Sequence, residues 1–517
     1  MRRSNGCLLT LRRPSCLLER AARPVGEVRT RPDTRAAGVS LSSLAGVMGL
    51  PWWRRGLETM VVAVASGQLL VPPSRMVTRT TDPLTGTVNP DLRKAFALDD
   101  FPTFMGVAED DEEPSDDVLA QMRWYIVPET GVVLLNPLVP LEYIYRHQHN
   151  AVVGSIWATH HNEFAKLVAA HAPGSRVLEI GGGHGYLAAK LLFSDAVAHW
   201  TMVDPNPVST FAIPNLEIIR AYVEDVGALD RPIDCVVHSH TLEHMYDPGR
   251  FFDIIRGLLK PGQLHIFSMP NLFALVSDGQ PSLHFEHTIL LREEHVTWLL
   301  RSRGFDVVEV AHFGGKHSIF YVTRVAAKLP PETAPPNFYA ETRHAFQRWH
   351  ESIAADAAEF ATKLSPDTSR NFVYAAHVST QYLLAAGLPA GDFAAILDNN
   401  QDKIGKRLYG HGLRVKAPDA IRDVDRPVVV LRTGVYDDEI AAQLTKINPA
   451  VTLLRSANRT GGAPRGRQHH GHHDHRAGGP PRRLRGSEHP LPPAGQAPTS
   501  TLAFHARGPW TPKRPVG

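Results

Sequence analysis

The chain has 517 residues, of which 43% are hydrophobic and 21% charged, values typical of a soluble globular protein with two or three domains. This length excludes a protein made of one small module. The sequence also contains no run of about 18 apolar residues, the length needed to span a bilayer. Its three cysteines, Cys7, Cys16 and Cys235, are too few for a disulfide framework or a four-thiolate zinc site. We therefore predict a cytoplasmic protein with no membrane partner.

The net charge of +3 conceals two basic ends and an acidic body. Residues 1–55 contain 11 Lys/Arg and 3 Asp/Glu, and residues 455–517 contain 11 and 2, whereas residues 56–454 contain 33 and 47. A surface that follows a nucleic-acid backbone needs an excess of clustered cations. The sequence therefore predicts that the folded body binds no nucleic acid.

Both ends of the chain have compositions that disfavour folding. Residues 1–75 are Arg-rich and indicate a transit-like leader, while residues 455–517 are rich in Pro, Gly, Arg and His. Few large apolar residues remain in the tail to offset the entropy lost on ordering. We predict that both segments are disordered, and we interpret the histidine tract at 469–475 as low-complexity sequence rather than a metal site.

The middle of the chain, residues 151–328, alternates short apolar strands with helical patterns. This alternation predicts a doubly wound α/β domain, in which a parallel sheet is covered by helices on both faces. A ligand is then expected over the carboxyl ends of the strands. The predicted strands are 176–180, 199–203, 216–220, 233–238, 264–268 and 305–310, and the predicted helices are 186–193, 249–259 and 293–303.

Two further regions flank this core. Residues 76–150 are assigned to a substrate-side region, and residues 329–454 predict a second, smaller α/β lobe. In that lobe the predicted strands are 371–378, 393–397 and 427–431, and the predicted helices are 381–387 and 437–446.

A glycine-rich turn follows the first strand of the core, with the sequence Glu-Ile-Gly-Gly-Gly-His-Gly at 179–185. Glycines let the backbone turn sharply and approach a ligand without an intervening Cβ. A dinucleotide fingerprint requires Gly-x-Gly-x-x-Gly, whereas Gly181, Gly183 and Gly185 form Gly-x-Gly-x-Gly. The spacing therefore disfavours a nicotinamide cofactor.

Acidic residues surround this turn. Glu179 would repel a pyrophosphate but suits a ligand with an ammonium group, and Asp204, at the end of the second strand, can accept from both hydroxyls of a ribose. Glu224 and Asp225, after the third strand, are candidates to accept from an adenine amine. Together these acids predict a cationic nucleoside that carries an amino acid.

These features resemble the class I S-adenosylmethionine-dependent methyltransferases, whose first motif is an acidic residue, one intervening position and then Gly-x-Gly-x-Gly. The resemblance extends over roughly residues 150–325 and includes the stretch 239–244 after the fourth strand and the turn 259–262 before the fifth. It implies S-adenosylmethionine as the cofactor. The residues expected to bind it are Glu179, Gly181, Gly183, Gly185, Asp204, Glu224, Asp225 and His240.

The C-terminal lobe resembles that of the sugar C-methyltransferases, in which an Asp-Asn-x-x-x-Lys-x-Gly pattern follows a strand. Asp398, Asn399, Lys403 and Gly405 match this pattern, and residues 122–125 and 141–145 resemble the same family's lead-in to its core. The resemblance implies methylation of the carbon next to the keto group of a nucleotide-linked deoxysugar. The expected partner is therefore a small-molecule acceptor.

Methylation at such a carbon needs a base that removes the α-proton and polar groups that hold the enolate. The resemblance implies a role for His244, after the fourth strand, and for Glu286 and His287, after the fifth. His284 occupies the position of a family tyrosine, which has a very different pKa. We predict that His284 or His287 is the base, that Glu286 orients it, and that no metal takes part.

One departure from the family leaves alternatives open. Sugar C-methyltransferases usually begin with a cysteine-ligated zinc module, which the two cysteines before this core cannot form. The core is equally compatible with transfer to oxygen or nitrogen of another small molecule. A scaffold that binds the cofactor without turnover is the remaining alternative.

Overall fold

A computed structural model describes residues 62–63 and 68–456 of the chain, apart from 89, 110–112, 145–154, 209–212, 227–228, 230, 281 and 330–332. The predicted tail beyond residue 456 and most of the predicted leader lie outside the described residues. Residues 69–75, which the prediction included in the leader, form a short strand and a 3-10 turn. Val71, which follows the short strand, is 2% exposed. Its apolar side chain belongs to the hydrophobic core that covers the first sheet, which is why this segment is ordered.

The first sheet has six strands, and all but one of its strand pairings are antiparallel. Its core includes the fully buried Trp124 and Met122. The sixth strand, Ile289–Leu290, arrives from the middle of the chain and pairs with the last of the other five. The earlier elements are β1 Val62–Ala63, β2 Leu69–Leu70, β3 Arg93–Pro102, β4 Val118–Ile126, β5 Val133–Leu135 and helix α1 Leu141–Ile144.

The second sheet has seven strands and forms the α/β core. Its helices are amphipathic or largely apolar and cover the buried Val, Leu and Ile side chains of the strands. In chain order its elements are α2 Ser155–His171, β6 Arg176–Ile180, α3 Tyr186–Phe193, β7 His199–Val203, β8 Leu216–Ile219, β9 Cys235–Ser239, α4 Pro248–Leu258, β10 Leu264–Pro270, α5 Leu272–Ser277, α6 Glu293–Ser302, β12 Phe305–Phe313 and β13 Ser318–Val325. Between α5 and α6 lies β11 Ile289–Leu290, the sixth strand of the first sheet.

The strand order of this core sheet is β8-β7-β6-β9-β10-β13-β12. The chain runs outward from β6 through β7 to β8 and then returns to place β9 on the other side of β6, so the order reverses between β6 and β9. In open α/β sheets, ligands bind at such a reversal, outside the carboxyl ends of the strands. The glycine turn follows β6 and is therefore at this point.

The six predicted core strands and three predicted helices are all present, with ends that differ by at most three residues. Strand β13 was not predicted from the sequence, and it pairs antiparallel with both β10 and β12. The reversal from β12 to β13 passes through Gly314 and Gly315, which have φ of 59° and 67°. Positive φ at two glycines permits this tight return.

The third sheet is a five-stranded parallel sheet, with its strands in the order Val415–Lys416, Ala395–Leu397, Asn371–Tyr374, Val428–Leu431 and Thr452–Arg455. The predicted strand 371–378 ends at Tyr374, and the following helix begins at Val378 rather than at 381, because Ala375 has a φ of 80° that ends the extended chain. The elements are α7 Tyr339–Lys363, β14 Asn371–Tyr374, α8 Val378–Ala385, β15 Ala395–Leu397, β16 Val415–Lys416, β17 Val428–Leu431, α9 Asp437–Ile447 and β18 Thr452–Arg455.

The third sheet is joined to the first by apolar and charged contacts. Helix α7 packs Trp349 edge-to-face on Phe96 of the first sheet, with ring centroids 5.2 Å apart, while Phe360 at its other end belongs to the core of the third sheet. Arg407 forms a buried bidentate ion pair with Asp117. Among the described residues, no helix combines the length and the apolar character required to cross a bilayer.

Candidate functional site

The glycine turn after β6 adopts the conformation that its spacing predicts. Gly181, Gly183 and Gly185 have φ of 76°, 49° and 72°, a region that residues with a Cβ rarely adopt. A Cβ at Gly181 would lie 2.8 Å from Thr241 Oγ1, whereas no atom lies within 4 Å of a Cβ at Gly183. Gly181 thus packs against the loop after β9, and Gly183 exposes its backbone to open space.

Gly182 is the most tightly packed glycine of the turn, although the sequence analysis did not single it out. A Cβ there would overlap Met202 Sδ and lie 2.7 Å from Glu179 Oε2. The signal available in the sequence was the run of three consecutive glycines where the motif requires only alternate ones. Packing against β7, rather than the approach of a ligand, explains this third glycine.

Glu179 is buried at 4% exposure beneath the turn. Burial raises the pKa of Glu179 to about 7, which the hydrogen bond from Trp200 opposes and the nearby Asp204 reinforces. Trp200 Nε1 donates to Glu179 Oε2 over 2.8 Å. A cation bound beside this carboxyl would favour its ionised form, as expected for a ligand with an ammonium group.

Asp204 ties the glycine turn to the end of β7. Its Oδ2 accepts from the backbone N–H of Gly183 at 2.9 Å, and its Oδ1 accepts from that of Asn206 at 2.7 Å. Each carboxylate oxygen has a second lone pair. Asp204 is therefore held at the edge of the open space over Gly183, and its contact with ribose hydroxyls stays a prediction.

The other two predicted cofactor acids lie on a 3-10 turn, Val223–Asp225, after β8. Both Glu224 and Asp225 are exposed. The turn is anchored near Asp204, since the N–H of Ala221 donates to the Asp204 carbonyl at 3.2 Å. Their contact with adenine remains a prediction.

His240 belongs to an aromatic group at the carboxyl end of β9. It has a φ of 52°, its Nε2 lies 3.0 Å from Ser318 Oγ, and its ring is 4.9 Å from that of Trp157 and 5.0 Å from that of His160. Burial holds the pKa of His240 well below its usual value, so the ring is neutral. Trp157 and His160 lie on α2, which the sequence analysis did not predict.

The four predicted catalytic residues lie together near the end of β9, with Glu243 as a fifth member that the sequence analysis did not select. The ring centroids of His284 and His287 are 3.7 Å apart, and those of His244 and His287 are 5.3 Å apart. His244 Nδ1 lies 3.7 Å from Glu286 Oε2, and its Nε2 lies 3.8 Å from Glu243 Oε1. We call these five residues the His/Glu cluster.

Backbone contacts bring the two halves of the cluster together. Glu243 and His244 lie on the 3-10 turn Leu242–His244, and the N–H of Thr288 donates to the Glu243 carbonyl at 2.9 Å. Thr288 Oγ1 also donates to the Met245 carbonyl at 2.8 Å. The segment that enters β11 is thereby joined to the turn that leaves β9.

Glu243 is the most unusual member of the cluster. It is 3% exposed, and neither of its carboxylate oxygens has a hydrogen-bond partner among the described residues. Burial raises its pKa to about 8. The sequence signal was the Leu-Glu-His triplet at 242–244, of which only the histidine was selected as a candidate.

Residues 152–310 match the sequence model of a family described as "Methyltransferase domain". A probable S-adenosylmethionine-dependent methyltransferase of Mycolicibacterium smegmatis is 24% identical over 235 residues, which cover 42% of this chain and 84% of the relative. The chain contains a class I S-adenosylmethionine-dependent methyltransferase domain. This methyltransferase is accordingly a transferase enzyme with S-adenosylmethionine as its cofactor.

Other relatives match the methyltransferase over shorter stretches. An uncharacterized methyltransferase of Mycobacteroides abscessus is 31% identical, with 36% of this chain and 65% of the relative covered, so the chain spans just under two thirds of that protein. The solved structure of the N-methyltransferase NodS from Bradyrhizobium japonicum, in complex with S-adenosyl-L-homocysteine, is 15% identical with a TM-score of 0.26 and covers 33% of this chain and 88% of that chain.

The residues around the glycine turn fit S-adenosylmethionine. The backbone at Gly183 faces open space, which leaves room for close approach of a ligand. The buried carboxyl of Glu179 suits the amino group of the cofactor, and Asp204 is held at the end of the neighbouring strand. These three residues are the ones predicted to hold it, and their contacts with the cofactor stay predictions.

Proposed function

We propose that this methyltransferase methylates the carbon next to the keto group of a nucleotide-linked deoxysugar. The observation that carries the proposal is the His/Glu cluster, which gathers three imidazoles and two carboxyl groups beside the loop that contacts the glycine turn. Removal of a proton next to a carbonyl requires a positioned base, and histidine is the commonest one. Transfer to a hydroxyl oxygen does not require a carbon acid to lose its proton.

The tautomer of one candidate base follows from a backbone contact. His287 Nδ1 lies 2.8 Å from the Ser282 carbonyl oxygen, which can only accept, so Nδ1 carries the proton. The Nε2 of a neutral His287 then has the lone pair. His284, with its ring against that of His287, is the second candidate.

The chemistry divides between the cofactor and the cluster. When bound, S-adenosylmethionine supplies a methyl group on a positively charged sulfur, which is a strong electrophile. The chain's own task is to take the α-proton of the acceptor onto an imidazole nitrogen while the C–H electrons move into the enolate. The 5% exposure of His284 and the 3% exposure of Glu286 limit the access of water to this step.

The resemblance of the third sheet to the sugar C-methyltransferases supports the sugar assignment. The Asp-Asn-x-x-x-Lys-x-Gly pattern that resembles the sugar C-methyltransferases forms a compact internal structure, in which Lys403 Nζ lies 3.2 Å from Asp398 Oδ2 and donates to the Ala376 carbonyl at 3.1 Å. Gly405 has a φ of 86°. The spacing of the pattern therefore has a physical reason, since Asp398, Lys403 and Gly405 supply an ion pair and a positive-φ turn in the loop after β15.

The test uses the full chain with methyl-labelled S-adenosylmethionine and a nucleotide-linked 4-keto-6-deoxysugar, and NMR locates the label. We expect the label on a ring carbon, and we expect exchange of the α-hydrogen with deuterated water. Replacement of the base, His284→Ala or His287→Ala, should slow both by about 10²–10⁴-fold. The exposed His344→Ala on α7 is the control and should leave both unchanged.

A label on oxygen or nitrogen would refute carbon transfer and favour an oxygen or nitrogen methyltransferase. With S-adenosyl-L-homocysteine in place of the methyl donor, the enolate has no methyl group to accept and must take a proton back. An α-hydrogen that never exchanges with deuterated water under those conditions would likewise contradict an enolate route.

A further inference from the structure

We propose that Glu243, His244 and His287 bind one divalent metal ion of the borderline class, such as Zn²⁺ or Co²⁺. One donor atom from each of these residues lies within 4.8 Å of the others, and Glu243 Oε1 is 3.8 Å from His244 Nε2. A tetrahedral zinc with bonds of about 2.1 Å separates its donor atoms by about 3.4 Å. Modest side-chain movement would therefore complete the site.

The outer contact of His287 matches that of a metal ligand. A histidine that ligates a metal through one ring nitrogen usually donates from the other to a carbonyl or carboxylate. His287 Nδ1 lies 2.8 Å from the Ser282 carbonyl oxygen, and His244 Nδ1 lies 3.7 Å from Glu286 Oε2. In His287 this arrangement assigns Nε2 to the metal, and in His244 the candidate ligand is Nε2, which lies 3.8 Å from Glu243 Oε1.

The buried carboxyl of Glu243 is a second, independent observation. It is 3% exposed and has no hydrogen bond to either oxygen among the described residues. A carboxylate removed from water without such partners is destabilised. A divalent ion would offset this cost, and the ligand nitrogen His244 Nε2 lies 3.8 Å from Glu243 Oε1, on the side where the ion would bind.

The donor set indicates the kind of metal. Two imidazole nitrogens and one carboxylate oxygen suit zinc, cobalt, iron or manganese, whereas magnesium and calcium prefer oxygen alone. Three protein ligands also leave a position for a further ligand, as in catalytic rather than structural zinc sites. We therefore expect a site that accepts an oxygen atom from a small molecule.

The position of the cluster suggests what that oxygen is. Thr241, two residues before Glu243, contacts the glycine turn, since a Cβ at Gly181 would lie 2.8 Å from its Oγ1. A metal ion there would polarise the keto oxygen of the acceptor and stabilise the enolate, a role that rests on the proposed function. Because His287 would then be a ligand, the base would be His284.

Metal binding is measured on the full chain. In the parent protein and in every variant, the five histidines of the 469–475 tract are replaced by Asn, so that the tract binds no metal. Calorimetry with Zn²⁺ and visible absorption with Co²⁺ should detect one equivalent. Glu243→Gln, His244→Asn and His287→Asn should each abolish it, and Glu286→Gln should weaken it by about 10–100-fold. The control is His312→Asn, which removes a surface histidine 2.7 Å from Glu293 Oε2 and should bind like the parent.

The inference is overturned if the parent binds no equivalent, or if the three ligand variants bind as tightly as His312→Asn. Pulsed EPR of the parent loaded with Cu²⁺ keeps the test valid should a variant fail to fold. Two coordinated imidazoles are expected, and fewer than two would also overturn it.

These outcomes separate the metal site from the proposed function, because the binding measurements need no acceptor. Metal binding without a carbon-methylated product would refute the sugar assignment and retain the site. Carbon methylation by a chain that binds no metal would retain the function and refute the site.

Discussion

A buried histidine pair in the core sheet should make the methyltransferase sensitive to acid. His238 on β9 and His265 on β10 are both 0% exposed, with their Nε2 atoms 3.0 Å apart. Burial lowers the pKa of His265 to about 3 and holds that of His238 well below its usual value. Both rings are therefore neutral in the folded protein at neutral pH.

The sign of the effect follows from proton binding. An unfolded chain restores a histidine pKa of about 6.5, so the unfolded state binds more protons than the folded state between about pH 6.5 and pH 3. Stability is complete above this range and declines as the pH falls through it. For the folded pKa of about 3 at His265, the loss at about pH 5 is roughly 2 kcal/mol, and His238 adds a loss of the same sign.

The assay is urea unfolding at about pH 7.5 and about pH 5, with the difference in free energy of unfolding compared between proteins. His265→Gln removes one titrating ring, so its difference should be smaller than that of the wild type by roughly 2 kcal/mol. The exposed His344→Gln should retain the wild-type difference. Equal pH dependence in His265→Gln and the wild type would refute the reasoning.

Three further predictions concern the glycine turn and the contact between sheets. Gly182→Ala introduces overlap with packed atoms and should lower the free energy of unfolding by about 1–3 kcal/mol without reaching the open space over Gly183. Gly183→Ala overlaps no atom but strains a backbone with a φ of 49°, so it should weaken cofactor binding in addition to lowering stability. Thermal unfolding and calorimetry measure the two effects, and cofactor binding that is reduced equally in both variants would contradict this assignment. Trp200→Phe removes the hydrogen bond that lowers the pKa of Glu179, so the carboxyl should ionise only at a higher pH. The pH at which the cofactor binds tightly should therefore rise, and an unchanged dependence of cofactor affinity on pH would disprove this. Arg407→Met leaves the buried carboxylate of Asp117 without its ion-pair partner and should lower the free energy of unfolding by about 3–5 kcal/mol. A loss below about 1 kcal/mol would show that the ion pair contributes little to stability.

The sequence alone determined the α/β core and its glycine turn. The apolar runs, their lengths and the intervening helical patterns are local properties, and positive φ at Gly181, Gly183 and Gly185 follows from residues a few positions apart. Local patterns predicted the ends of elements less well where a single backbone angle decides them, as at Ala375, whose positive φ ends β14. They also missed β13, whose register depends on pairing with β10 and β12.

Only the tertiary structure decided the composition of the His/Glu cluster. Glu243 and His287 are separated by more than 40 residues in the chain, and they meet because the backbone of Thr288 bonds to that of Glu243. Nothing in the Leu-Glu-His triplet indicates that its glutamate is buried at 3% exposure without a hydrogen bond. Burial and proximity are properties of the folded chain, since each depends on which distant segments pack together, and they set the chemistry of side chains whose identities the sequence already contained.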